Sequence, residues 1–336
     1  MKKETKVFVK KQSKMFFSFY KLSLITFFSS PINIFLGIIL MHFILFMWLM
    51  YRENDPFILA SAVGAMVVRN SMHLFYRGLT AHKSSGFAMM IRYTPAHPLI
   101  RPIANIVANF TINLVLIIVM IGSTLLIYPS QKAIIGNVNW NMFLTATFLL
   151  WFLTVLISYT TYRFVEDSTK GMIIVNLIYV LAYNLLGCAY PYHIIANYSW
   201  LNTILYFFPL RYMMNVMQAG WVNATNLVYT GNPEYEVDWH LGQNLAIPYL
   251  ITLTFILIFL ILLIVVIIIK VNNNKKDNYG SNIVLKLSTK YIRDIKRCTS
   301  FEEIKELRKN HLEEMGYRLD NEDDLKIDFK KKKIKG

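Results

Sequence analysis

Residues 254–270 read TFILIFLILLIVVIIIK, an almost unbroken run of Ile, Leu, Val and Phe that stops at Lys270. Extended back to residue 245, the run is long enough to cross a hydrocarbon core of roughly 30 Å, for which about 20 apolar residues suffice. A helix that is apolar all round has to be surrounded by apolar material. Five further runs, 31–51, 57–77, 103–128, 141–164 and 171–195, have the same character and length. None alternates polar with apolar residues as a membrane β-barrel would, so helices are the expected spanners. A hydrophobic fraction of 55% with only 14 Gly and 10 Pro excludes a soluble two-layer domain and fits an integral membrane protein.

The charges then orient the six runs. Of 35 Lys and Arg, seven lie in the arm ending at Lys21, four in 77–102, two in 163–170 and eighteen from Lys270 onward. Only Arg52, Lys132 and Arg211 fall in the alternate loops, and Arg69 falls inside a run. Short loops rich in Lys and Arg stay in the cytoplasm, which predicts a multi-pass protein of the cytoplasmic membrane with both termini inside. The net charge of +15 is then a positive-inside bias meeting anionic headgroups, and no nucleic-acid partner is expected. The first run lacks a small-residue cleavage site, so it is expected to remain in the mature chain.

Three regions follow: a cytoplasmic arm with an amphipathic helix (1–30), a six-helix membrane domain (31–269) and a basic, partly helical tail (270–336). In the arm, Lys14, Ser18 and Lys21 share one helical face, and Phe16, Phe17, Tyr20, Leu24, Phe27 and Phe28 cluster on another. That pattern fits a helix lying in the inner leaflet, or an extension of the first span broken at Pro31. Residues 196–244 form a long outer segment whose start is aromatic and interrupted at Pro209, the pattern of re-entrant or interfacial helices. The tail opens with a polar linker, Asn272 to Lys276. Ser300 and Glu303 have capping-box spacing ahead of a helix ended by Gly316, and a solvated, partly disordered tail fits the composition equally.

Catalytic chemistry is not visible. There is no G-x-S-x-G elbow, no H-E-x-x-H and no G-x-x-x-x-G-K-[ST] phosphate loop. The seven His have no metal-ligand spacing, and the two Cys read as packing residues. No Asp or Glu lies within a predicted span, which disfavours an ion-coupled carrier. No catalytic residue, metal or cofactor is expected on this chain; if it pumps, another polypeptide must supply the energy.

Polar residues inside the spans are the remaining candidates. Arg69, with Asn70 and His73, lies about 12 Å from Arg77 at 1.5 Å per residue, so it either snorkels or pairs structurally, or lines a substrate path. Asn105, Asn109 and Asn113 repeat every four residues, and Asn176, Tyr179, Tyr183 and Gly187 make a second stripe. Both stripes fit interhelical hydrogen bonding, and both fit a cavity wall. Ala60, Ser61, Gly64 and Ala65 form a small-residue face for close helix contact, within the subunit or across a dimer.

The loop 77–102 carries a further pattern: Arg77, a polar stretch from His82 to Ser85, Gly86, an apolar group Phe87 to Ile91, Arg92, then Thr94 and Pro95. It resembles the coupling-helix loop of type 2, exporter-like permeases of ATP-binding-cassette transporters. The likeness covers most of residues 10–269, including the re-entrant segment around Phe208, Pro209, Leu210, Arg211 and Tyr212. It departs at His82 and Lys83, where the family favours an acidic residue, and at Phe87, where Thr is common. The resemblance implies an ATPase contact through Lys83, Gly86, Phe87, Met90, Ile91, Arg92, Thr94 and Pro95. It also implies a partner ATPase that uses ATP and Mg, a second permease copy, and a path lined by the second and fifth spans. Candidate path residues are Arg69, Asn70, His73, Asn105, Asn109, Asn113, Asn176 and Tyr183. The bare residues also fit a helix that floats on inner headgroups, a membrane scaffold or sensor acting through its tail, and an ATP-independent channel or scramblase.

Overall fold

The computed structural model describes residues 2–84, 97, 99–295, 298 and 300–314 of the chain. Gly86, Phe87, Met90, Ile91, Arg92, Thr94 and Pro95 lie outside these residues, and only the helical backbone of Lys83 lies within them. Six helices are long and apolar enough to cross a membrane: Pro31–Tyr51, Ile58–Ala81, Ile100–Ile127, Trp140–Phe164, Ser168–Leu185 and Ala246–Ile269, here spans 1 to 6. The protein is an all-helical, multi-pass membrane protein; among the described residues the only strands are the antiparallel pair Val228–Tyr229 and Val237–Asp238.

Local chemistry fixes the ends of the spans. Pro31 opens span 1 in the first turn, where its missing N–H costs nothing. The turn from span 1 to span 2 is held by Asp55, whose Oδ1 accepts from Phe57 N at 2.8 Å while Oδ2 pairs with Arg52 at 2.6 Å. Asn139 caps span 4 by accepting from Met142 N, and Asp167 caps span 5 by accepting from Thr169 N at 2.8 Å. Span 5 ends at Leu185, ten residues before its apolar run does. Gly187 takes a left-handed φ of +101°, and the chain turns there, then forms a short helix at Tyr192–Ala196. Gly187 therefore terminates the expected stripe instead of extending it. Cys188 follows in this turn, and burial pushes its thiol up to about 12, so it stays protonated and packs.

The turns at 52–57 and 129–139 meet the segment 186–245 at one end of the bundle. Gln131 Nε2 donates to the carbonyls of Glu53 and Asp55, Arg52 Nη1 donates to those of Cys188 and Ala189, and Asn139 N donates to Gly220 O. This is the capped end. The opposite end, where 77–102 and 163–170 leave the spans, is the basic end.

Span 2 is the central helix, with 89% of its apolar window buried against 17% for span 6. It packs against span 4 and against a helix from the long connection, Arg211–Trp221, in which every residue is buried. The N-terminal helix Lys2–Phe28 is separate from span 1 and lies along span 3, where Tyr20 Oη donates to Thr111 Oγ1 at 3.1 Å and Ser23 Oγ to Asn105 Oδ1 at 2.6 Å. Its contacts with span 3 thus come from the aromatic side of the helix, not from the Lys14, Ser18 and Lys21 face.

Residues from Val265 onward form a second compact unit. The helix that begins at Ala246 continues without a break to Ile295, so the expected linker at Asn272–Lys276 is helical. Each Asn costs only a few tenths of a kcal/mol in propensity, and extending an existing helix avoids a new nucleus on the far side. Helix Phe301–Glu314 starts where the capping signal places it, with Ser300 Oγ accepting from Glu303 N at 3.3 Å.

Candidate functional site

Span 2 changes character halfway. Its first half is lined by small residues, and these receive the buried helix 211–221 inside the same chain. A Cβ on Gly64 would run into the Met214 sulfur, and Ser61 Oγ accepts from Gln218 Nε2 at 2.8 Å. After Arg69 the helix widens into a π turn at Asn70–Leu74 and then returns to α geometry. Such a turn admits one extra residue and recurs at functional sites.

Neighbouring spans hold the widened turn. Asn109 Nδ2 donates to Asn70 O at 3.2 Å, Asn113 Nδ2 to Ser71 Oγ at 3.2 Å, and Ser158 Oγ of span 4 to Met72 O at 3.3 Å. Trp151 Nε1 donates to Asn109 Oδ1 at 2.9 Å, orienting that amide. The Asn109 and Asn113 amides of span 3 therefore act as interhelical staples. Asn105 stands apart. It binds Ser23 and lines a cleft of about 70 Å³ between the N-terminal helix, span 3 and the basic end of span 2, with Asn33, Leu74 and Gly78.

On the opposite flank, Arg69 Nη1 donates to Tyr179 Oη of span 5 at 3.0 Å, and the guanidinium lies 4.9 Å from that ring's centroid. Tyr183, one turn further, accepts from Trp48 Nε1 of span 1 at 3.0 Å. Asn70 is fully buried, and neither end of its amide has a partner among the described residues. Its Oδ1 lies against Gly37 of span 1, itself inside a second π turn at Phe35–Ile39. Arg69 Nε and His73 Nδ1 are likewise buried without a partner. The fold thus gathers Arg69, Asn70, His73, Asn109 and Asn113 around the middle of span 2, while Tyr183 meets span 1 nearer the capped end. Asn176 is exposed on span 5, one turn from Tyr179 toward the basic end.

Sequence reasoning missed a second polar cluster, at the capped end. Arg211 is completely buried; its Nη1 donates to Asn202 O at 2.7 Å, and its Nη2 donates to Asn202 Oδ1 and Trp239 O, both at 3.1 Å. The Tyr206 ring lies 4.2 Å from the guanidinium carbon. Gln218 joins Ser61, Leu186 O and Trp239 Nε1 in one knot. A lone Arg just after Pro209 in an otherwise aromatic stretch was the available signal. Burial raises the Tyr192 hydroxyl and lowers His193 in the same region, the latter partly offset by Asp55.

Among the described residues no group of three or more His, Cys, Asp or Glu could hold a metal ion. The cluster at the middle of span 2 offers hydrogen-bond donors and positive charge, an arrangement suited to binding. No protein-family model, curated protein or solved structure matches the chain.

Proposed function

We propose that this chain is the permease subunit of an ATP-driven exporter in the cytoplasmic membrane, with its basic end inside the cell. A separate ATPase chain would hydrolyse ATP with Mg, and a second permease copy or relative would complete the pathway. One observation carries the reading most: the central helix of a six-span bundle holds a cationic, partly unsatisfied polar layer at a widened turn, with no carboxylate in any span to serve as an ion-coupling relay. The resemblance of the 77–102 loop to a coupling helix supplies the motor. Residues Lys83, Gly86, Phe87, Met90, Ile91, Arg92, Thr94 and Pro95 would form the ATPase contact. Nucleotide-driven movement of that loop would bias span 2 between two packings, and the widened turn is where such a helix yields.

The test is purification from the native membrane followed by reconstitution. An ATPase should copurify, and substitution of Gly86 and Pro95 should leave expression intact while abolishing ATP-dependent transport. Transport indifferent to ATP depletion identifies a channel or scramblase instead. Loss of function on deleting 272–336, with the loop variants unaffected, identifies a scaffold.

A further inference from the structure

From Ile58 through Tyr76 every residue of span 2 is buried except Arg69 and His73, and Arg77 is the next accessible position. An otherwise sealed helix therefore opens along one line of three basic side chains. The π turn creates that line. In a regular α-helix, at about 100° per residue, a residue eight positions on is rotated by roughly 80°; one extra residue in the turn withdraws about 100° and brings Arg77 back to within roughly 20° of Arg69. His73 lies within electrostatic reach of both arginines.

The inner part of this line lacks an anion: among the described residues no carboxylate pairs with Arg69 or His73, and the acidic Asp167 lies at the basic end, within electrostatic reach of Tyr76. Arg69 is held only by a phenol, and Arg69 Nε and His73 Nδ1 are buried without acceptors. Positive charge at this depth is costly until an anion meets it. The neighbouring surface of span 5 is greasy, with Ile173, Leu177 and Val180 exposed.

We infer that Arg69, His73 and Arg77 form a track for the oxyanion head of an amphiphile, a phosphate or carboxylate joined to an apolar body, that enters sideways at the basic end. An apolar body can lie along span 5 while the head moves from Arg77 inward to Arg69, exchanging one cation for the next. A free inorganic anion would have to leave water with nothing to cover that surface. The inference rests on the reading of this seam as the exporter's path, and equilibrium binding without ATP separates the two.

The experiment uses the full chain in phosphatidylcholine nanodiscs, titrated with fluorescent phosphatidic acid, with equally labelled phosphatidylcholine as the neutral-head control and inorganic phosphate as the soluble competitor. Expected is saturable binding of the phosphatidic acid probe, with inorganic phosphate a poor competitor. Arg69→Gln and Arg77→Gln should each weaken binding at least tenfold, Arg69→Lys should retain most of it, and Lys132→Gln, away from the basic end, should change nothing. Because Arg77 lies near the end of the span, Arg77→Gln keeps the test decisive should Arg69→Gln fail to fold. Equal binding of both labelled lipids, or an unchanged affinity in Arg77→Gln, overturns the track. Full competition by inorganic phosphate overturns the amphiphile. Binding without any ATP-dependent transport leaves the track standing and removes the exporter.

Discussion

Two arginines in this bundle, the buried Arg211 and the half-buried Arg69, are treated in opposite ways. At the capped end, Arg211 has two carbonyls, an amide oxygen and an aromatic ring arranged around it, all from segments that wrap it. In the middle of span 2, Arg69 has one tyrosine. Three hydrogen bonds and a stacked ring make Arg211 a structural pin, although its Nε has no partner among the described residues, because removing it strands every acceptor that faced it. A single bond at Arg69 leaves more donors open to something that comes and goes. On the proposed reading, the contrast separates a region that holds still from one that exchanges partners.

The sharpest way to break that contrast is Arg211→Leu. It strands Asn202 and Trp239 oxygens in a buried site, and a loss of roughly 3–5 kcal/mol should show as aggregation on size exclusion in mild detergent. Next is Gly64→Leu, which overfills the contact with Met214 and Met217 and should lower the thermal midpoint by an amount corresponding to about 1–3 kcal/mol. Arg69→Ala should be the reverse case, folding with a midpoint near that of the parent while losing most transport; unchanged transport would return Arg69 to a structural role. Asn109→Leu lies between them. Losing its bond to Asn70 O and the Trp151 bond should cost about 1–2 kcal/mol and free the widened turn, read as faster amide exchange at 70–74.

The smallest effect concerns pH at the capped end. His193 is edge-on to Tyr235 and has its proton affinity lowered mainly by burial, with Arg52 adding to the lowering and Asp55 and Glu234 opposing it. A histidine depressed in the folded state leaves stability intact above its unfolded value of about 6.5 and removes it as pH falls below that. The thermal midpoint should therefore drop below pH 6.5, and His193→Gln should flatten that slope; an equal slope in the variant would assign the acid sensitivity elsewhere.

Hydropathy was enough to find all six spans, since each run is long and nearly free of charge. The Asn109 and Asn113 stripe and Arg69 were also visible, because polar side chains are conspicuous against apolar runs. The end of span 5 was not, because an apolar turn sealed under a cap has the same hydropathy as a helix in lipid, and only the left-handed Gly187 distinguishes them. The helix 211–221 reads as polar on one face, yet Arg211 and Gln218 find partners in segments far away in sequence. No local pattern reveals such partners. The N-terminal helix shows a similar ambiguity, since an aromatic face suited to the inner leaflet is also suited to span 3, where Tyr20 and Ser23 meet Thr111 and Asn105.

Gly37 places the widened turn of span 1 directly against the widened turn of span 2. Two neighbouring rods that each carry a weak section at the same level form a crease. Bending there would let the half of the pair nearer the basic end swing as one piece while the half pinned by Met214, Met217 and Gln218 stays fixed, with Asn70, whose amide is unpaired, at the fold line.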